Sequence, residues 1–176
     1  HTTASDGKLS SKEIVDLAIK RGMKAIAITD HDTIEGAEEA INYSEGKDIE
    51  VIAGIEVGCK EPGFDSPIDV IGLFIDYKDE KLNSFIREIK SARMREERNI
   101  IRRINNPIFK KISESDRKLI KTLKKMFVPR KKSSLMEAVD IIKSSGGIPV
   151  LAHPARYGNE MINIINRFSS AGGKGI

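Results

Sequence analysis

The sequence predicts an α/β protein. Four short apolar runs, at residues 25–28, 51–55, 70–75 and 148–152, are bounded by turn or polar residues, and helical patterns lie between most of them. Strands and helices that alternate along a chain are typical of α/β folds. Because these runs are continuously apolar, we expect strands that are buried on both faces, as in parallel sheets.

Three of the helices are predicted by a capping residue followed three positions later by a glutamate, with a glycine at the end of each pattern. The capping pairs are Ser10 with Glu13, Asp32 with Glu35 and Ser134 with Glu137, and the glycines are Gly22, Gly46 and Gly146. A long helix over residues 80–105 is predicted by an apolar stripe at helical spacing. We expect a last helix over residues 160–168.

Basic residues are concentrated in one segment. Residues 87–132 contain 17 Lys and Arg against 5 Asp and Glu, a net charge of +12, so the remainder has a net charge of −8. This division favours a protein that binds cations in one place and phosphates beside it, and the alternative is a solvated basic helical face. Residues 106–132 match neither a strand nor a helix and are predicted to be an inserted or irregular segment. Together with the long helix before them, they predict a helical basic insert or subdomain at 79–133 within one domain over residues 1–176.

Composition excludes several classes of protein. No apolar run approaches the roughly 20 residues of a membrane span. The single cysteine, Cys59, excludes an internal disulfide framework and favours a reducing, cytoplasmic setting. The aromatic content of 5%, without tryptophan, argues against an aromatic-lined binding groove. The chain begins at His1 and ends in a glycine-rich turn, so we expect a domain truncated at both ends.

The residues of greatest chemical interest follow the predicted strands. Asp30 and His31 follow the first strand, Glu56 the second and His153 the fourth. The carboxyl ends of strands form the active face of β/α barrels and open α/β sheets, so we expect these side chains to converge. Considered alone, each of these residues could have a purely structural role: His153 could be a histidine of the core, and Glu56 could pair with a lysine. Their shared placement favours a common site.

Histidines and carboxylates without thiolates are typical ligands of Zn²⁺, Mn²⁺ or Fe²⁺. His1 is the third histidine, and the turn at Asp6 and Gly7 would present another carboxylate. This set exceeds the three or four ligands of one catalytic zinc and favours a multinuclear cluster. Two such metals would activate a water molecule and clamp a phosphoryl oxygen.

Four ordered motifs resemble those of the PHP (polymerase and histidinol phosphatase) superfamily, at residues 1–7, 29–32, 54–56 and 150–157. The resemblance is closest to its small nucleoside 3′,5′-bisphosphate phosphatases and 5′→3′ exoribonucleases. It implies a distorted (β/α)₇ barrel with two or three divalent metals that hydrolyses phosphoesters. It also implies roles for six residues: metal ligands at His1, Asp6, His31 and His153, a metal-bridging carboxylate at Glu56, and an acid that orients a ligand at Asp30.

The sequence departs from the family pattern in three places. Asp69 stands where the family commonly has a histidine, and it is either a ligand or a turn aspartate. The closing Asp-x-His motif of the family is absent, as is its Gly-Arg-Pro-His segment. In addition, His1 resembles the second histidine of the family's opening His-x-His, so the first would lie outside this chain. Because that histidine and the closing Asp-x-His are both missing, at least two metals would lose ligands, and we expect weak or no activity from this chain alone.

Arginines are the candidate phosphate ligands. Arg95 and Arg98 lie on one face of the long helix and resemble an arginine-bearing helix of the family. Guanidinium groups suit bidentate phosphate recognition, and the alternative is pairing with glutamates of the same helix. Arg130 and Arg156 are further candidates.

The leading hypothesis is a metal-dependent phosphoesterase that acts on a nucleotide or a short oligonucleotide. A histidinol-phosphate-type phosphatase is a second hypothesis. The segment with a net charge of +12 argues against it, because that activity needs little basic surface. A third is a non-catalytic, nucleic-acid-binding or structural PHP domain of a larger polymerase assembly, which the retained histidines and carboxylates disfavour. Metal content and turnover of an aryl phosphate ester distinguish an enzyme from a binding module.

Overall fold

The computed structural model describes residues 1–104 and 133–176. The chain divides into two compact units, one formed by His1–Ile86 with Ser133–Ile176 and the other by Arg87–Lys132. The predicted irregular segment at 106–132 lies outside the described residues, so the insert stays a prediction. No helix in the described part is both long and apolar enough to cross a membrane.

The first unit contains a four-stranded sheet in the order β1–β2–β3–β4. Its strands are β1 (Ala25–Ile28), β2 (Glu50–Cys59), β3 (Ile68–Leu73) and β4 (Ile148–Leu151). β1 and β2 are parallel, but β3 is antiparallel to both of its neighbours. The expectation of parallel pairing is therefore wrong for β3. The connection from β2 to β3 is too short for the crossover of a dozen or more residues that parallel neighbours need.

β1 is less buried than the sequence predicts, since its apolar run favoured a strand covered on both faces. Ala25 and Ala27 are exposed, whereas Ile28 is buried. Successive side chains of a strand point to opposite faces, so only one face of β1 is well covered. The small alanine side chains leave little apolar surface in water on the other face.

The described residues contain five α-helices: α1 (Ser11–Lys20), α2 (Glu35–Ser44), α3 (Glu80–Ile104), α4 (Leu135–Ser144) and α5 (Met161–Ser170). A 3₁₀-helix, Pro154–Glu160, precedes α5. The helices predicted from the sequence are all present with small differences at their ends. α1, α2, α4 and α5 pack with the sheet in the mixed α/β arrangement that the sequence predicts.

Two of the three predicted capping boxes are confirmed. Ser10 and Ser134 each accept a hydrogen bond from the backbone of the glutamate three residues later, and that glutamate accepts one in return. The prediction for Asp32 is wrong, because Ile34 is the N-cap of α2 and makes no side-chain capping bond. Asp32 has a φ of 52°, and its Oδ1 accepts a hydrogen bond from the N–H of Gly58 at 3.2 Å. Its carboxylate is used to bind β2.

The core of the first unit consists of two clusters of buried apolar side chains. The smaller one joins α1, α2 and β1 and includes Val15, Ile28 and Ala40. The larger one joins β2, β3 and β4 to α4 and α5 and includes fully buried residues such as Ile55, Val70, Leu135, Ile142 and Ile164. Because β2 to β4 are covered in this way, their register is well fixed.

The chain leaves the first unit after Ile86 and returns at Ser133. Ile86 is buried in the larger cluster. The carbonyl of Ser133 accepts a hydrogen bond from the N–H of Lys60 at 2.9 Å. The buried carboxylate of Glu61 accepts one from the N–H of Leu135 at 3.1 Å and another from Arg167 Nε at 2.9 Å. Both the exit point and the return point are thus held by the first unit.

Candidate metal centre

Side chains from four strands meet at one edge of the sheet. β1, β2 and β4 run in the same direction, and β3 runs in the opposite direction, so its amino end joins the carboxyl ends of the other three. The predicted convergence of His31, Glu56 and His153 is observed. His31 Nδ1 lies 3.5 Å from Glu56 Oε2, and His153 Nε2 lies 3.3 Å from Glu56 Oε1.

The strand register explains why His31 and Glu56 are neighbours. Ile28 pairs with Ala53, and the same parallel register continues past β1 to pair His31 with Glu56. The N–H of Glu56 donates to the carbonyl of Asp30 at 3.0 Å. The sequence predicts that Glu56 follows the second strand, but β2 extends to Cys59, and Glu56 lies within it. The carboxylate is therefore carried by a hydrogen-bonded strand.

Glu56 is surrounded by three imidazoles. In addition to His31 and His153, His1 places its Nε2 3.0 Å from Glu56 Oε2. The rings of His1 and His31 are stacked, with their centroids 4.6 Å apart. The Glu56 side chain is only 1% exposed, whereas that of His153 is 44% exposed. The site consequently has a buried carboxylate at its base and histidines toward solvent.

Burial raises the pKa of the Glu56 carboxyl, because a carboxylate loses hydration when it is removed from water. His31 and His153 oppose this rise through their charge, and Asp69 adds to it through charge repulsion. A buried carboxylate in such surroundings requires positive charge close by if it is to remain ionised.

The N-terminal residues form a turn that brings His1 and Asp6 to the same edge. The N–H of Gly7 donates to the carbonyl of Thr2 at 2.9 Å. A Cβ atom on Gly7 would lie 2.2 Å from the carbonyl oxygen of His1, so the turn needs glycine. Asp6 Oδ1 lies 3.7 Å from His1 Nδ1, and Asp6 Oδ2 lies 3.9 Å from His31 Nε2. The predicted turn thus presents the Asp6 carboxylate next to two histidines.

Asp30 holds this turn in place. Its buried carboxylate accepts hydrogen bonds from the N–H of Thr2 at 2.5 Å, the hydroxyl of Thr2 at 2.7 Å and the hydroxyl of Ser5 at 2.6 Å. A Cβ on Gly36, in the first turn of α2, would lie 2.0 Å from Asp30 Oδ2. Sequence reasoning gave Asp30 an orienting role but missed Thr2, Ser5 and Gly36, because no local pattern links them to Asp30.

We expect Asp30→Asn to weaken divalent metal binding by about 10- to 100-fold, the usual effect of removing a group that orients a ligand. The amide would place an N–H₂ group against donors of the turn, so His1 and Asp6 would lose their fixed positions. Isothermal titration of the metal-free protein with Mn²⁺ measures the change. Asp48→Asn is the control, since Asp48 is an exposed partner of Lys24. Wild-type affinity in Asp30→Asn would contradict the orienting role.

Asp69 and His153 complete the edge from the side of β3 and β4. Asp69 pairs with Gly58 in the β2–β3 register, and its carbonyl accepts a hydrogen bond from the N–H of Ala152 at 3.0 Å. Asp69 reaches this edge only because β3 is antiparallel, and it acts on the pKa of Glu56. His153 has a left-handed backbone, with a φ of 51° and a ψ of 46°, which is uncommon for a residue other than glycine.

Three of the four candidate phosphate ligands lie in the described part of the chain. Arg95 and Arg98 are exposed on the part of α3 that belongs to the second unit, and Arg98 Nε donates to the carbonyl of Met94 at 3.2 Å. Arg156 is exposed on the 3₁₀-helix after His153. Arg130 lies outside the described residues. Their role in phosphate binding stays a prediction.

The donor set fits a divalent metal. Three potential ligand atoms, one each from His1, His31 and Glu56, lie within 4.8 Å of one another. His31 Nδ1 and Glu56 Oε1 are buried, and although each lies 3.3–3.5 Å from another atom of the cluster, neither forms a well-aligned hydrogen bond within the described part of the chain. Buried polar atoms without partners are unfavourable and rare. Imidazole nitrogen and carboxylate oxygen together are suitable ligands for Zn²⁺, Mn²⁺ or Fe²⁺.

Comparison with protein families identifies the fold from which this site is built. The family model for the PHP domain matches residues 1–158. The chain belongs to the PHP domain family. The match includes all four strands of the sheet and every residue at its edge, so the cluster around Glu56 lies within the PHP domain.

Relatives of this PHP domain include two curated bacterial proteins. A 5′-3′ exoribonuclease from Haemophilus influenzae is 28% identical over 213 residues, covering 100% of this chain and 76% of the relative. A 3′,5′-nucleoside bisphosphate phosphatase from Chromobacterium violaceum is 28% identical over 211 residues, covering 100% of this chain and 73% of the relative.

Solved structures share the fold of this PHP domain. A structure of an amidohydrolase from Chromobacterium violaceum, with bound sulfate and no metal, has a TM-score of 0.75 at 28% identity, covering 100% of this chain and 74% of the other. A crystal structure from Bifidobacterium adolescentis has the same TM-score at 22% identity, covering 99% of this chain and 73% of the other, and supports the fold alone.

Proposed function

We propose that this PHP domain is a metal-dependent phosphoesterase that hydrolyses a phosphate ester of a nucleotide or a short oligonucleotide. The observation that carries the proposal is the buried carboxylate of Glu56 with three imidazoles within 3.5 Å of its oxygens. The nucleotide substrate is supported by the relatives, which are named as an exoribonuclease and a nucleoside bisphosphate phosphatase.

Two or three divalent ions, Mn²⁺, Zn²⁺ or Fe²⁺, would be held by six residues: His1, Asp6, His31, Glu56, Asp69 and His153. When bound, such ions supply Lewis-acid activation of a water molecule and of the phosphoryl oxygens. Glu56 suits a bridging position, because Oε2 faces His1 and His31 while Oε1 faces His153. Asp69 would add a carboxylate where the family commonly has a histidine, which favours a harder cation.

The remaining residues of the site act by holding these ligands. Asp30 fixes the turn that carries His1 and Asp6 through three hydrogen bonds. β2 keeps the Glu56 carboxylate at the base of the site, shielded from water. We propose that Arg95 and Arg98 bind a substrate phosphate, with Arg130 and Arg156 as further candidates. Metal ligands that Asp30 and β2 hold in place favour the transition state, because they need no rearrangement during the reaction.

The test combines metal analysis with a substrate panel. The protein is stripped with chelator, reloaded with Mn²⁺, Zn²⁺ or Fe²⁺, and assayed on an aryl phosphate, a nucleoside 3′,5′-bisphosphate and a short 5′-phosphorylated RNA. We expect metal-dependent release of phosphate or mononucleotide, at a slow rate because the closing Asp-x-His motif of the family is absent from this sequence. A protein that binds metal but cleaves none of these substrates would contradict the proposal and favour a non-catalytic domain.

Two finer features belong to the same proposal. We propose that the four-stranded sheet is part of the distorted (β/α)₇ barrel expected of the family, with β3 as its antiparallel member. The cytoplasmic setting suggested by the single cysteine also stays a prediction. Neither is needed for the chemistry at the edge of the sheet.

A further inference from the structure

Tyr157 is a buried tyrosine whose hydroxyl reaches the backbone next to the site. It lies in the 3₁₀-helix Pro154–Glu160 and is 2% exposed. Its hydroxyl donates a hydrogen bond to the carbonyl of Ala152 at 2.5 Å. Burial raises the pKa of Tyr157 to about 12, so the hydroxyl remains a donor over the working range of pH.

This hydrogen bond is one of two that fix the backbone of Ala152, the residue before His153. The N–H of Ala152 donates to the carbonyl of Asp69 at 3.0 Å, so both backbone polar groups of Ala152 are held. The next residue, His153, has a left-handed backbone, and its carbonyl accepts the N–H of Arg156 at 2.9 Å. A non-glycine residue keeps such a conformation only where its surroundings hold it.

We infer that Tyr157 is a positioning residue whose hydroxyl, through the carbonyl of Ala152, holds the His153 imidazole against Glu56. His153 is the most exposed of the three imidazoles, at 44% of its side chain, so side-chain packing alone restrains it little. The hydrogen-bonded backbone on either side of His153 therefore fixes its imidazole with Nε2 3.3 Å from Glu56 Oε1.

This inference rests on the proposed metal centre, and its test separates the two. Metal-stripped wild type and Tyr157→Phe are titrated with Mn²⁺ by calorimetry and with Co²⁺ by visible absorption, without substrate. We expect Tyr157→Phe to bind about 10- to 100-fold more weakly and to give an altered Co²⁺ spectrum. A tyrosine with only a packing role would lower the melting temperature and leave the spectrum unchanged.

Tyr43→Phe is the matched control. It removes the same atom and breaks a hydrogen bond to Asp16 at the surface of α2, so we expect wild-type metal binding. Replacement of Tyr157 by 4-aminophenylalanine keeps a donor at the same place and should restore affinity, whereas 4-methylphenylalanine should not. That pair replaces Tyr157→Phe in the test should the phenylalanine variant fail to fold.

The outcomes are distinct. Wild-type affinity and a wild-type Co²⁺ spectrum in Tyr157→Phe, or equal affinities of the two phenylalanine analogues, would overturn the role of Tyr157 while leaving the metal centre in place. A wild-type protein that binds neither Mn²⁺ nor Co²⁺ would overturn the proposed function and this inference with it.

Discussion

Glu56→Gln should remove both metal and activity. The amide is neutral and offers one oxygen and one N–H₂ group, so it cannot balance cations held by His1, His31 and His153. We expect a loss of kcat/KM of at least about 1,000-fold, equivalent to roughly 4 kcal/mol, together with loss of bound metal. Elemental analysis and phosphoesterase assays on the same preparation measure the two effects.

Glu61→Gln is the control for this change. Glu61 is buried to a similar degree but is held by Arg167 and by the N–H of Leu135, away from the histidines. Its substitution should lower thermal stability while metal content stays at the wild-type level. If Glu56→Gln keeps its metal, then the buried carboxylate is not a ligand, and the assignment of the site is wrong.

Replacement of Arg95 or Arg98 by alanine should impair substrate use without affecting metal content. If either guanidinium makes a desolvated contact with a substrate phosphate, the loss is about 2–4 kcal/mol, or roughly 30- to 1,000-fold in kcat/KM. Lysine should restore only part of it, because an ammonium group cannot reproduce the two parallel hydrogen bonds of a guanidinium. Steady-state kinetics on a nucleoside bisphosphate give the comparison.

Arg21→Ala is a suitable control for the arginine variants, since Arg21 is exposed at the end of α1 and lies outside the basic segment. It should keep wild-type kinetics. Wild-type kinetics in both Arg95→Ala and Arg98→Ala would mean that this face of α3 is only a solvated basic surface. The phosphate ligand would then be sought at Arg130 or Arg156.

The sequence was a good guide wherever a local pattern carries the information. Capping boxes depend on residues three positions apart, so those at Ser10 and Ser134 could be predicted. The convergence of His31, Glu56 and His153 could also be predicted, because strands that run in the same direction place their carboxyl ends together. The general mixed α/β fold follows from the same alternation of patterns.

Features that depend on pairing between distant residues could not be predicted in the same way. An apolar run does not show the direction of its neighbours, so the antiparallel pairing of β3 was missed. Asp32 matched a capping pattern, but its carboxylate binds Gly58 across 26 positions. The hydroxyls of Thr2 and Tyr157 had no local signal, since each is defined by a single contact in the folded chain.

Because Ile86 and Ser133 are anchored in the first unit, the segment between them can change in length at a small cost in loop-closure entropy. The entropy lost when a connecting segment is closed grows only with the logarithm of its length, by about 0.6 kcal/mol for each doubling. A segment whose two ends are fixed can therefore be lengthened, shortened or exchanged at small cost to stability. We therefore expect changes in the length of residues 87–132 to alter the free energy of unfolding of the first unit only slightly and to leave the side chains around Glu56 in place.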